Sequence, residues 1–449
     1  MTLLDVSITN VALPSIGRAT LASPAQLQWV VSGYTLAFGL VPVLAGRLGD
    51  DHGRRLMFQV GVVSFALTSV LCGLAPTAGV LIAARILQGV AGGLINPQVS
   101  GLVQHLFRSA ERGRAFGVLG TTVGVGTALG PLVGGSLIAA GGPEWGWRLV
   151  FFINVPVGVA VILVARRTLP TDRVGARQRL DLLGAALLGA AVFGVLFAAV
   201  EYDAVRDWRL FLLVFPAILL FGLFLGWERR LTRERRDPLI DLKLLARSDY
   251  RAGLTAALAF FPATAGIPLV LALYYQDGLG YSALQAGLGV TAYALGSAVS
   301  APLSGRVVLR IGRALLLAGV IAFGVGALAL IPLVSRAHGA GAALLLAPAL
   351  FVMGAGAGAF VSPNQALTLR DVDPLTGATA GGVLQTAQRI GLAIGQSVIG
   401  AVFFAAATAG GPSRAAYVSA MRWSVLAALG FVAAAAAIGV ADLRRGRDG

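Results

Sequence analysis

Charge is the first thing this chain is short of. Asp, Glu, Lys and Arg make up 12% of its 449 residues, against roughly 25% in soluble proteins. Cysteine is almost missing. Cys72, the single example, excludes an intrachain disulfide and reads as a small residue in an apolar run. The three histidines, His52, His105 and His338, fall in expected loops or helix ends and do not cluster, which argues against a metal site. No P-loop signature occurs, so ATP is not the expected energy source. No Sec-type signal peptide with a cleavage site is read at the N-terminus. Catalytic His, Ser or carboxylate groups do not cluster at either expected membrane interface, so an enzyme is not expected. Acidic residues are outnumbered, 20 against 35 basic ones, for a formal charge of +15. The arginines lie in short loops between apolar runs and form no basic domain, so nucleic acid is not the expected partner. Lysine is scarcer still, with Lys243 beside 34 arginines, a bias compatible with a high-GC genome that names no substrate.

What the chain has is hydrocarbon. Apolar residues make up 57% of it, and its mean hydropathy is +0.82. Runs near 20 residues recur, the length a helix needs to cross a ~30 Å hydrocarbon layer. Open sheets cannot do so, because their edges would stay unpaired in lipid. An all-α polytopic membrane protein is expected. Leu3–Pro14 reads as a first, short span, brief enough to suggest that the recorded start truncates it. The later spans fall at approximately 27–47, 56–75, 78–99, 115–140, 149–165, 181–200, 210–227, 252–275, 284–304, 314–334, 341–362, 376–404 and 418–440. That makes fourteen.

Gly46–Arg55 (GRLGDDHGRR) follows the second span, and a degenerate copy, Gly305–Arg313 (GRVVLRIGR), follows the tenth. Gly46 and Arg54 in the first copy correspond to Gly305 and Arg313 in the second, each Arg preceded by Gly. Equivalent positions in two six-helix halves make spans seven and eight an insertion, a 6+2+6 plan. The expected domains are residues 1–166, the inserted pair with its basic flanks at 167–250, and 251–449. The second flank holds Asp237–Leu245 (DPLIDLKLL), which suits either a short helix on the membrane surface or an ordinary solvated linker. With the N-terminus inside, inner loops and the C-terminal tail hold about 26 of the 35 basic residues, so both termini are expected in the cytoplasm. Trp29, Trp145, Trp147 and Trp423 are expected in the outer aromatic belt.

Polar residues inside spans are costly and point to function. Asp5 lies about 13 Å from the Pro14 end of its span, with Thr9 one turn on. Burial would let its carboxyl exchange a proton near neutral pH. The alternative is a surface acid on a frayed terminus. Arg85, Gln88, Gly89, Gly92, Gly93 and Asn96 share one face of span four. An arginine at that depth needs a carboxylate, carbonyl or water. Span five repeats small residues at three- and four-residue steps, which suits close packing or function equally. Span thirteen carries Gln385, Gln388, Arg389 and Gln396. Tyr34, inside span two, suits core packing or a ligand.

At these residues the sequence resembles the major facilitator superfamily, within it the 14-helix drug:proton antiporter family. Leu4–Pro14 (LDVSITNVALP) is similar to that family's first-helix motif. Gly46, Asp50, Gly53, Arg54 and Arg55 match the superfamily's motif between helices two and three. Arg85, Gln88 and Gly89 match the fourth-helix motif, and Gly126, Gly130, Pro131, Gly134 and Gly135 the fifth-helix antiporter motif. Trp147–Gly158 (WRLVFFINVPVG) is similar to the start of the sixth helix. The resemblance implies export of a small amphipathic compound in exchange for protons, by alternating access through a cavity between the six-helix halves. It implies proton coupling at Asp5 and Arg85 and an inner latch at Gly46, Asp50, Gly53, Arg54 and Arg55. Asp51 departs from the motif, which usually has a basic residue there. Thr9, Tyr34, Gln88, Gln385, Gln388 and Arg389 are the cavity candidates. No cofactor or metal is expected beyond the proton-motive force. The expected partners are the substrate, protons and anionic lipids, around a monomer in the cell membrane. The alternatives are an exporter dedicated to one endogenous metabolite, such as an antibiotic, and a membrane sensor that does not transport. In the two loop copies the acid Asp50 faces Leu309, which singles out Asp50 as the switching residue.

Overall fold

The computed structural model describes residues 1–170, 181–205, 208–234, 236–409 and 413–445. Helices dominate, in the order α1 (Thr2–Thr20), α2 (Pro24–Leu40), α3 (Pro42–His52), α4 (Arg54–Leu74), α5 (Ala78–Leu106), α6 (Ser109–Phe152), α7 (Asn154–Thr168) and α8 (Leu182–Val205). There follow α9 (Val214–Arg233), α10 (Leu242–Ala246), α11 (Ser248–Leu273), α12 (Ala283–Ile311), α13 (Ala314–Arg336), α14 (Ala342–Thr368), α15 (Gly377–Ala409) and α16 (Arg414–Arg445). Every one of the expected spans falls on a helix. Among the described residues ten helices are long and apolar enough to cross a membrane. An eleventh span is the pair α2 and α3, bent by 48°.

Three expectations change. The first span does not stop at Pro14, because α1 runs through the proline to Thr20 over 19 residues. Asp5 thus sits in the first turn of α1, ~22 Å from its far end, at 1.5 Å per residue. Span five does not end in a loop: α6 continues past it, interrupted at Gly142, where φ of 66° reverses the backbone, into the first residues of span six, the rest of which forms α7. Trp147 is no belt residue: it is 0% exposed and packs edge-on against Phe151, whereas Trp145 and Trp423 are exposed. The bend before it turns the indole inward.

Two compact units form. The first comprises Met1–Leu106, Leu129–Arg247 and Val372–Thr386. Its core gathers Ile8, Cys72, Leu81, Trp147 and Phe151 from α1, α4, α5 and α6. The second comprises Phe107–Ala128, Ser248–Asp371 and Ala387–Gly449. There Phe260, Phe323 and Phe360 meet from α11, α13 and α14, with ring centroids 5.3 and 4.3 Å from Phe260. Large apolar side chains such as Leu67, Phe215 and Leu344 face outward. In lipid they drive no association, so packing rests on small residues and interhelical hydrogen bonds.

The segment Asp237–Leu245, read as a short surface helix or a solvated linker, is helical in part. Only Leu242–Ala246 is helical. Leu239 and Ile240 are buried, and their backbone N–H groups donate to Glu228 at 3.3 Å each. Glu228 lies just past the apolar run of α9 and is itself fully buried. Burial, with the charge of Asp181 adding, pushes its carboxyl up to about 7. Asp181 accepts from Trp227 Nε1 and from the N–H of Gly184 in the first turn of α8. Most of the first basic flank, residues 171–180, lies outside the described residues, as does Arg206.

Candidate functional site

Three helices bring four expected residues together inside the first unit. Arg85 on α5 donates from Nη1 to Asp5 Oδ2 at 2.6 Å, and both side chains are essentially unexposed. Its Nε donates to the carbonyl of Val30 at 3.1 Å, and its guanidinium lies 4.2 Å from the Tyr34 ring centroid. Gln88, one turn after Arg85, accepts from Arg85 at 2.6 Å and donates to Asp5 Oδ1 at 3.1 Å. Tyr34 donates to the carbonyl of Thr2 at 3.4 Å. Gly89 lets α5 approach: a Cβ there would collide with the carbonyl of Tyr34. The frayed-terminus alternative for Asp5 is therefore excluded, since the residue is 1% exposed. Removing one partner of such a pair leaves a buried charge, at a cost of ~3–5 kcal/mol.

Two further residues complete the network. Asn154, first residue of α7, donates to Asp5 Oδ1 at 2.7 Å and to Ser69 Oγ at 3.1 Å. Gln88 Nε2 also donates to Ser69 Oγ, at 2.5 Å. Sequence reasoning missed both. Ser69 carries no signal, since serines are ordinary in membrane helices. Asn154 carries one in hindsight. Pro156 cannot donate a helical N–H and its ring crowds the carbonyl of Phe152, so the helix breaks at Ile153 and re-aims the residue that follows.

A second constellation is built on Gly46–Arg55, also within the first unit. Asp50 Oδ1 accepts from Arg54 Nε at 3.0 Å and Nη2 at 2.7 Å, and from the N–H of Ala378 at 3.2 Å. Its Oδ2 accepts from the N–H and the hydroxyl of Thr379, each at 2.8 Å. The carboxylate thus sits on the N-terminus of α15, where orphan N–H groups and the helix dipole favour an anion. Arg54 ties the same end further, donating to the carbonyls of Gly101, at 3.2 Å, and Pro374. Gly46 gives α15 its approach, because any Cβ there would strike the backbone of Ala378. Gly53, with φ of 100°, makes the turn. Its counterpart Gly312 has φ of 64°, so the two loop copies share their left-handed glycine. Asp51 turns back to Arg47 at 3.4 Å, and Arg55 donates to the carbonyl of Arg166 at 2.9 Å. In the second copy Leu309 is exposed, and Arg313 pairs instead with Asp249, at 3.0 Å, and Asp442.

The fifth-helix motif lies at the middle of α6. Gly130 and Gly134 pack on α1, where a Cβ would meet Ser7 and Ile8 respectively. Gly135 meets nothing within 4 Å, and Gly126 is half-buried. The side chain of Pro131 lies outside the described residues. The remaining cavity candidates do not join the Asp5 network. Thr9 is buried with its hydroxyl donating to the carbonyl of Asp5 at 2.7 Å. Gln385 donates to Ser100 at 3.1 Å in the first unit. Gln388 and Arg389 belong to the second unit; Gln388 is buried and Arg389 half-buried. Among the described residues no group of three or more His, Cys, Asp or Glu could hold a metal.

The model of the family described as Major Facilitator Superfamily matches residues 1–396. A probable actinorhodin transporter of Streptomyces coelicolor is 39% identical over 407 residues, covering 90% of this chain and 70% of its own. The multidrug resistance protein Stp of Mycobacterium tuberculosis is 31% identical, covering 90% and 74%. The puromycin resistance protein pur8 of Streptomyces alboniger is 33% identical, covering 90% and 79%. Among solved structures, the human organic anion transporter MFSD10 aligns over 96% of both chains with a TM-score of 0.67 at 16% identity. The proton:xylose symporter XylE aligns over 95% and 92% with a TM-score of 0.64, also at 16% identity.

Proposed function

The chain belongs to the Major Facilitator Superfamily, and we propose that it exports small amphipathic compounds, drugs or toxic metabolites, in exchange for protons by alternating access. The observation that carries this reading is the buried Asp5–Arg85 pair. A carboxylate shielded from water and balanced by one fixed cation has two states of different net charge. Ionised, it holds Arg85 or a cationic substrate; protonated, it releases that partner. Each charge moved across 100 mV is worth about 2.3 kcal/mol, enough to bias a cycle between states of similar energy. The energy source is then the proton-motive force, with no cofactor and no catalytic chemistry. Asp50 on the N-terminus of α15 is the inner latch. The setting is the cell membrane, with both termini in the cytoplasm, a monomer, and arginine-rich inner loops against anionic lipid.

A second reading, export of one endogenous metabolite, is favoured by the similarity to the probable actinorhodin transporter. A drug-susceptibility and dye-efflux panel in a pump-deleted host separates a broad from a narrow substrate range. Everted vesicles carrying a pH gradient test the coupling. Substrate-driven proton release is expected from the wild type and lost in Asp5→Asn. Undiminished release in that variant would sink the assignment. Counterflow in proteoliposomes distinguishes a transporter from a sensor, which binds without translocating.

A further inference from the structure

Every described partner of the Asp5 carboxylate is a donor. Oδ2 accepts from Arg85, and Oδ1 accepts from the amide nitrogens of Asn154 and Gln88. Such a shell fits the ionised form. A proton on Oδ1 would face two NH2 groups with nothing to receive it. For Asp5 to be protonated in place, one amide has to turn over and offer its carbonyl.

Gln88 is not free to turn. Its Oε1 accepts from Arg85 at 2.6 Å, so turning it would set an NH2 against a guanidinium, which has donors and no acceptor. The described hydrogen bonds of Asn154 are all made by its NH2, to Asp5 and Ser69. Ser69 can follow either orientation, because a hydroxyl accepts or donates by rotating. The other ionisable groups around Asp5 are Cys72 on α4, Tyr34 on α2 and the amino group of Met1. Among the described contacts none of them bonds Oδ1.

We propose that Asn154 is a positioning residue for the transported proton. Its NH2 holds the Asp5 carboxylate, and its carbonyl, after a half-turn of the amide, accepts the O–H of the protonated acid. This rests on reading Asp5 as the proton carrier. In the step, a proton from solvent joins a lone pair of Asp5 Oδ1 and the N–H···O bond from Asn154 breaks. An O–H···O bond to Asn154 Oδ1 forms, and the Ser69 hydroxyl changes from accepting to donating. No bond between heavy atoms changes, and the net charge of Asp5 with Arg85 rises by one.

Infrared difference spectra of the purified full chain in lipid, recorded across a pH titration, test it without any substrate. The carboxyl C=O band of protonated Asp5 is identified by its loss in Asp5→Asn. In the wild type a side-chain amide C=O change is expected to titrate together with that band. In Asn154→Leu the carboxyl band is expected to remain and the amide change to be lost. Asn154→Ser, which keeps a polar group at the helix break, gives the same reading if the leucine variant does not fold. An Asp5 band accompanied by an amide change that survives both variants, or by none in the wild type, overturns the proposal. Absence of any Asp5 band in the wild type overturns the proton-carrier reading beneath it, and this inference with it.

Discussion

Asp50 and Leu309 occupy the same place in the two loop copies, and their surroundings differ by one carboxylate. Asp50 binds two backbone N–H groups and a hydroxyl at the start of α15, besides Arg54. Leu309 is exposed. Charge-assisted hydrogen bonds contribute roughly 1.5–3 kcal/mol each, and 1.4 kcal/mol is about tenfold in an equilibrium. Asp50→Asn is therefore expected to cut transport about tenfold or more in a dye-efflux assay, at unchanged membrane abundance. Leu309→Asn is expected to be milder. Equal defects would argue against Asp50 as the switch. At this scale the sequence was informative wherever a polar group interrupted hydrocarbon: Asp5, Arg85 and Gln88 stood out, and the structure brings them together. Ser69 and Asn154 did not stand out. Nothing local marks Ser69, and Asn154 is marked only by the helix break that Pro156 imposes; the packing of α4 and α7 beside α1 and α5 is what brings both into the network.

Among the elements, α9 holds the segment that follows it through Glu228. An ordinary glutamate titrates near 4.3, and this one is pushed up to about 7 by burial and the neighbouring charge of Asp181. Between those values the folded chain keeps a proton that the unfolded chain has released. Stability contributed there falls as pH rises through the window and is fully lost above about 7. Glu228→Gln has no charge to bury and keeps a carbonyl acceptor for one of the two N–H groups of Leu239 and Ile240, which bond different oxygens of the carboxylate, so it loses one hydrogen bond at every pH. Its thermal midpoint in detergent, relative to that of the wild type, is expected to rise between about pH 4 and about pH 8. A difference independent of pH would remove Glu228 from that account. Helix existence was legible here from run length and apolarity. Helix ends were not. Proline at position 14 failed to stop α1, and in DPLIDLKLL the helix starts only at Leu242 because the N–H groups of Leu239 and Ile240 are taken by a carboxylate on α9.

For the whole molecule, the arginine distribution predicts which ends face the cytoplasm. Alkaline phosphatase fused after Arg444 or in the loop at Phe107 is expected to be inactive. Fused at Gly339, between α13 and α14, it is expected to be active. The reverse pattern would overturn the orientation. The sequence by itself determined that the chain lives in lipid, that its spans are helices, and that one loop pattern recurs in it. These follow from composition and periodicity, because hydrocarbon admits no unpaired backbone and one turn of loop carries its own glycine and arginine. Tertiary structure alone decided that Asp5 is met by donors from α5 and α7, and that Asp50 rests on the first turn of α15. A hydrogen bond is directional and spans about 3 Å, so its partner is settled by where helices far apart in the chain come to pack.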